Sequence, residues 1–552
     1  MSQSTEIDGF ERLSRLVASE ELRKLTDFDK RYPIVLVPGF SGWGPPLLGA
    51  VNYWGGVEDI PKMLKDKGYT VIIATIAPLS SNWERASELY AQLTAGRFST
   101  VDPTTNKVVE TLDLEVLYGT YFGSDPQKAP ESRSTKNRRR AIVLPGKTWP
   151  ENPSWVWSKT NKVHFICHSQ GGNTVRQLLG LMRNGAGGLH DEYFKDDHEH
   201  KGRDNWAISV STLGTPYKGT TITNVLEHLL SESTEEVAQL TGRLFATLSF
   251  QDPATRAYDL QLDHWGIRRL HSESFQAMRA RLEAPGGPVS RWLNGQHTAF
   301  HDNSIQGVEE LHKRAGPPSP HVCYLTFSFD CTEPFPSSWP PWTSQAVARF
   351  PISIYDLLRQ VFLGIPGGPA VVWVLDLLRQ GLTNVLIWPV FQGLVKFRDF
   401  LNWATVEVAE KLLKTQGFPI NLPRPGKYVP RGDVFPPMLP TVYAMGSLEL
   451  TDDQKTILGP ERGDWLLNDG IVNTMSMRGP KGATIHELAH DPFPLATGST
   501  AGVRGRYWHF GTTGYLDHAD EIGVWVERDT GSALKKMYQD LADLVSRIPP
   551  PS

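Results

Sequence analysis

The stretch "HFICHSQGG", His164 to Gly172, is an apolar run that stops at a serine and passes at once into a helix-forming segment. When a strand ends in so sharp a turn, the residue at its tip takes a strained backbone. Small residues are then needed two before and two after it, where bulk would clash. Cys167 and Gly171 hold those places. A helix starting beside Gly172 turns its unpaired N–H groups toward whatever the hydroxyl attacks. Ser169 reads as a nucleophile; the plainer reading is a polar residue in an ordinary strand-to-helix turn.

Outward from this point the chain repeats one pattern. "YPIVLVPGFSGWG", "YTVIIATIA", "KVHFICHS" and "WAISVSTLGTP" are apolar without alternation. Between them lie the helical segments "DIPKMLKDKG", "NWERASELYAQLTAG" and "GGNTVRQLLGLMRNG". Strands of that kind separated by helices indicate a parallel sheet buried on both faces, an α/β fold.

Four regions are expected. Residues 1–30 form an N-terminal helical extension, with Phe10, Leu13, Leu16, Val17 and Leu25 at helical spacing. Residues 31–334 are the first part of the core with cap insertions, in which roughly 124–160 reads as a loop. Residues 335–424 are an apolar helical insertion with "DLLRQ" at 356–360 and again at 376–380. Its charge-free runs are broken by Pro and Gly and fall short of the ~20 residues of a spanning helix. Packed cap helices or a surface meeting lipid both suit it. Residues 425–552 complete the core, with strands in "PTVYAMGSLEL" and "RYWHFGTTGYLDH" and a closing helix from Ser532 to Arg547.

Composition excludes some classes. A net charge of −4 gives no reason to expect a nucleic-acid partner. "KNRRR", Lys136 to Arg140, reads as a solvated basic loop, or else a contact for phosphate or a lipid headgroup. Three cysteines cannot build a disulfide framework. The N-terminus shows no basic segment followed by an apolar core, so no secretory signal is expected, and a cytoplasmic or lipid-associated protein is favoured.

A serine hydroxyl attacks only when a histidine takes its proton and a carboxylate orients that histidine. On an α/β sheet with a nucleophile elbow the chain order is serine, acid, histidine. "WLLNDGIVN" offers Asp469 before a glycine turn, and "GYLDHADEIG" offers His518 in a loop after an apolar strand. A turn carboxylate and a surface histidine are the bland alternatives. The oxyanion donors should be the N–H of Gln170 and one from "VPGFSGWG", where Phe40 stands.

With these pieces assembled, the chain resembles the family I.5 true lipases, thermoalkalophilic bacterial α/β-hydrolases. The resemblance rests on "YPIVLVPGFSGWG", "NYWGG", "PLSSNWERASELYAQLTAG", "CHSQGG", "LGTPYKGTT", "YDLQLDHWGIRR", "LLNDGIVNTMSMRGPK" and "LDHADEIGV", in family order. It implies an α/β-hydrolase fold under a helical lid. Ser169 would be the nucleophile, Asp469 the acid, His518 the base, and Phe40 and Gln170 the oxyanion donors. A lipid ester, met at a lipid–water interface, would be the substrate.

The departures are specific. Pro38 stands where the family has the histidine of its His-Gly-Phe, so that support is lost. The family's zinc aspartates correspond to Glu84 and Asp263, but no histidine precedes His164, so zinc cannot be held by matching positions. Trp525 and Val526 stand where its calcium site expects an aspartate and a proline. No cofactor and no metal are expected, and Glu84 and Asp263 are assigned to hydrogen bonding within the cap.

Rival functions are weaker. His486-Glu487-Leu488-Ala489-His490 matches the H-E-x-x-H of zinc proteases, but Pro480 and Pro492 leave no room for the long helix that chemistry needs. "HDEYFKDDHEH", His190 to His200, reads as a solvated loop. A lipid acyltransferase using the same three side chains, and a silent lipid-binding protein of the same fold, remain as alternatives.

Overall fold

The computed structural model describes residues 7–551 apart from 26–29, 48–50, 57, 103, 106, 122–128, 151–154, 225–233, 335–426, 432–433, 436–437, 461–462 and 525–527. The expected insertion at 335–424, and Trp525 and Val526, lie outside the described residues.

Among the described residues, a ten-stranded sheet organises the chain. Its order is Ile485–Glu487, Tyr507–Thr513, Cys323–Phe329, Ala207–Leu213, Val163–His168, Ile34–Val37, Val71–Ile73, Ile142–Leu144, Ser99–Val101 and Val108–Val109. Every neighbouring pair is parallel except Val71–Ile73 with Ile142–Leu144, and Ser99–Val101 with Val108–Val109. The central strands are buried along their whole length, which is why their sequences show no alternation.

Alternate side chains feed two cores. Ile34, Leu36, Ile166 and Leu325 face one with Trp54, Leu64 and Tyr538. Val35, Val37, Phe165 and Val210 face the other with Trp83, Leu89 and Leu178 from helices Asn82–Thr94 and Gln170–Asn184. A third apolar cluster, with Trp265 and Trp292 at its centre, joins the helices Thr234–Ser249, Phe275–Glu283 and Pro288–Leu293. Among the described residues no helix is long and apolar enough to cross a membrane. The three cysteines are buried free thiols.

Three expectations change. "PTVYAMGSLEL" is not a strand but holds the helix Leu439–Met445, with Pro440 in its first turn. A short apolar run fits either element, and a proline that cannot donate to a ladder tips it. The region 124–160 contains two strands, Ser134–Arg139 and Ile142–Leu144, the second within the central sheet. "KNRRR" is therefore not a solvated loop. Arg138 is 4% exposed and lies against Glu88 and Asp263, while Arg139 pairs with Glu110 and Asp259. The N-terminal segment holds the helix Gly9–Ala18, whose Phe10 and Leu13 are packed into the first core.

Candidate active site

Ser169 sits between strand Val163–His168 and helix Gln170–Asn184 with φ 54° and ψ −130°. A non-glycine residue there stores about 1–3 kcal/mol, so the surroundings must hold it. Its N–H donates to the Leu213 carbonyl at 2.8 Å, and its carbonyl accepts from Thr215 Oγ1 at 2.8 Å. A Cβ on Gly39 would fall 2.5 Å from that of Ser169, and one on Gly171 2.5 Å from the Val37 carbonyl oxygen. These glycines let the turn close onto the first strand.

Asp469 and His518 meet directly. His518 Nδ1 donates to Asp469 Oδ2 at 2.8 Å, and the His518 backbone N–H donates to the Asp469 carbonyl at 3.0 Å. Asp469 Oδ1 accepts the N–H groups of Ile471 at 2.9 Å and Val472 at 2.7 Å. Burial would raise the Asp469 pKa, but His518 and these donors outweigh it and hold the carboxyl below its usual range. For His518, burial disfavours the charged ring, yet the Asp469 carboxylate prevails and raises its pKa. The turn carrying His518 is built by Asp517, whose Oδ1 accepts from the N–H groups of residues 519 and 520.

The ring of His518 lies 4.4 Å, centroid to centroid, from that of His168, the residue before Ser169. The structure thus brings Asp469 and His518 together beside the serine turn. No hydrogen bond joins Ser169 Oγ to the imidazole, a contact that in unliganded enzymes is often long.

The loop carrying Phe40 is held from below. Gly39 N–H donates to Tyr53 Oη at 2.9 Å, and the fully buried Arg85 donates to the carbonyls of Pro38 and, at 2.7 Å, Ala77. Where the sequence lacks a histidine at 38, Tyr53 and Arg85 supply the loop's support. The Phe40 ring packs edge-on against Phe300 at 5.3 Å. Gln170 is fully buried, with its side chain donating to the Ser80 carbonyl at 3.1 Å. Its backbone N–H opens the helix and so has no intrahelical acceptor.

Three neighbours were not singled out in the sequence. Glu521, fully buried, accepts from His168 Nε2 at 3.1 Å, and His168 Nδ1 meets Tyr53 Oη at 2.7 Å. Their only signal was adjacency: His168 precedes Ser169, and Glu521 follows His518 by three. Nothing in the sequence indicates that Tyr53 joins them.

The zinc that the resemblance implies does not fit here. Asp263 is paired with Arg256 at 2.9 Å and faces Arg138 at 3.6 Å, so two guanidinium cations already take its charge. Glu84 Oε1 accepts from His264 Nε2 at 2.9 Å and Trp265 Nε1 at 3.0 Å. The H-E-x-x-H segment is in part a strand, with His486 against Asp491 and Glu487 bound to Arg478 and His509. In "HDEYFKDDHEH", His190 is buried and meets the Leu117 carbonyl, whereas His200 pairs locally with Asp197.

Comparison with known proteins shows the family of the chain and its fold. The family profile described as "Lipase-like, C-terminal domain" matches residues 30–128 and 145–338, more than half of the chain. The chain belongs to that lipase-like family. A lipase of Staphylococcus epidermidis is 26% identical over 324 residues, 56% of this chain and 39% of its own length. Lipase 1 of Staphylococcus aureus is 26% identical over 329 residues, 57% of this chain and 40% of its own. The chain thus spans about two fifths of the length of the curated relatives it matches. Among solved structures, EstA from Clostridium botulinum superposes with a TM-score of 0.57 at 22% identity, covering 99% of both chains. The Staphylococcus hyicus lipase gives 0.55 at 20% identity, covering 94% of this chain and 96% of that one. These likenesses place the fold.

Proposed function

We propose that the protein is an α/β-hydrolase acting as a serine carboxylester hydrolase of lipase type, with lipid esters as substrates. Ser169 attacks the ester carbonyl while His518 Nε2 takes its proton. The N–H groups of Phe40 and Gln170 hold the developing oxyanion. His518 returns the proton to the leaving alcohol, and water then releases the fatty acid from Ser169 by the same steps. Asp469 fixes the imidazole with Nδ1 protonated and Nε2 free to accept, and balances its charge when it is protonated.

The observation that carries this reading is the 2.8 Å Asp469–His518 contact beside a serine held at φ 54°. The apolar sequence 335–424 would supply the contact with lipid. The test is a fluorophosphonate probe together with hydrolysis of a triglyceride emulsion. Labelling of the native chain, and loss of both labelling and turnover in Ser169→Ala with its near-ultraviolet circular dichroism unchanged, is expected. Retained hydrolysis in that variant would refute the assignment.

A further inference from the structure

We propose that Glu521 is a positioning residue whose carboxyl group, carrying its proton, links the oxyanion loop to the Asp469–His518 pair through one continuous chain of hydrogen bonds. The inference rests on the reading of Ser169, Asp469 and His518 given above. The chain begins at Gly39 N–H, which donates to Tyr53 Oη at 2.9 Å. The Tyr53 hydroxyl donates to His168 Nδ1 at 2.7 Å, so the buried neutral imidazole carries its proton on Nε2 and donates it to Glu521 Oε2 at 3.1 Å. Glu521 Oε1 and Asp469 Oδ2 both face His518 Nδ1, at 3.5 Å and 2.8 Å, which sets the two carboxyl groups side by side.

Where the proton between the two carboxyl groups rests follows from their donors. Asp469 receives two backbone N–H groups and the His518 N–H. Glu521 receives one donor at Oε2, and its Oε1 is buried with none. The Nδ1 of His518 lies 3.5 Å from Oε1, but its proton is directed at Asp469. Two adjacent buried carboxyl groups do not both ionise, and the poorly solvated one keeps its proton. A proton on Oε1 gives that atom a partner and makes Glu521 a donor to Asp469.

The fold makes room for this group at Gly214, where a Cβ, at φ +58°, would fall 2.1 Å from Glu521 Oε2. Tyr538 Oη fixes the Glu521 backbone carbonyl at 3.0 Å. The proposed consequence is that the imidazole and the loop bearing the Phe40 N–H keep their mutual geometry without a second negative charge beside His518.

The test compares Glu521→Ala, Glu521→Gln and Ser169→Ala in full-length protein, by p-nitrophenyl butyrate hydrolysis across pH. Misplacing the base by an ångström costs on the order of 100-fold. Glu521→Ala is expected to lower kcat about 10- to 100-fold with little change in KM. Glu521→Gln still donates from Nε2 to Asp469 and accepts at Oε1 from His168, and is expected to recover most of that loss.

The acid limb of kcat/KM adds a second readout. The titratable groups around His518 and Glu521 are Asp469, Asp517, His168, Tyr53 and Tyr538. If Glu521 is neutral, its change to Gln leaves the charge beside His518 as it was and the limb in place. A fall of the limb by about one pH unit in Glu521→Gln would show an ionised Glu521 and overturn the proposal. Should Glu521→Ala not fold, that comparison still decides. Full kcat in Glu521→Ala with an inactive Ser169→Ala would overturn this inference alone. An active Ser169→Ala would overturn the reading beneath it.

Discussion

Replacing Ser169 by glycine should make the protein more stable as well as inactive. At φ 54° and ψ −130° the serine occupies backbone space that L-residues avoid and glycine enters freely. The strain is about 1–3 kcal/mol. An alanine in its place would keep that strain and lose only the hydroxyl, so Ser169→Ala is the proper reference. Glycine costs about 0.4–1 kcal/mol more than alanine through the freedom of the unfolded chain. The difference leaves Ser169→Gly more stable than Ser169→Ala by about 0–2.6 kcal/mol. No new void separates the two beyond one methyl group, which already crowds the place where a Gly39 Cβ would be, at 2.5 Å. Urea titrations of both variants at one pH, with equal slopes, measure the gap as a shift in midpoint. A less stable glycine variant would mean that the strain at 169 is smaller than the glycine entropy cost of about 0.4–1 kcal/mol, and the case for a nucleophile elbow would lose its physical basis.

Other predictions address charge and metal. The raised His518 pKa means that the ring must lose its proton before it can act as a base, so kcat/KM should climb with pH through a limb above the usual imidazole range; a limb below that range would contradict the Asp469 contact. Asp302 is fully buried, and burial pushes its carboxyl from 3.8 up to about 7. The unfolded chain ionises first as pH rises, so this group should cost stability progressively between those two values, at about 1.4 kcal/mol per unit. Asp302→Asn should flatten that slope, measured as urea midpoints at pH 5 and pH 8. Arg138→Met should cost about 3–5 kcal/mol because it leaves the buried Glu88 without its cation, while Asp263 keeps Arg256. Incubation with EDTA should change neither the urea midpoint nor esterase activity, because guanidinium groups neutralise Asp263; a loss of either would reveal a metal held elsewhere.

What could be read along the chain was whatever depends on neighbours in sequence. Apolar runs without alternation named the central strands, because a strand buried on both faces has no polar side to show. The crowding around Ser169 appeared as small residues two before and two after it. Asp469 and His518 were suggested by turn chemistry and chain order, and the structure places them in contact. The failures share a cause. "PTVYAMG" could not be told from a strand because four consecutive buried residues, Val442 to Met445, carry no period. "KNRRR" could not be placed inside because its carboxylate partners, Glu88, Glu110, Asp259 and Asp263, lie far away in sequence.

The amino-acid sequence by itself determined the sheet, its helices and the serine turn, since backbone geometry and burial of a local apolar face select them. Only the tertiary structure decided which charges meet. Arg85 reaches under the Pro38 carbonyl across 47 positions, and Glu521 reaches His168 across 353. The physical reason is that a buried charge or hydrogen bond is set by the partner it finds when the chain closes, and that partner leaves no periodic mark in the sequence.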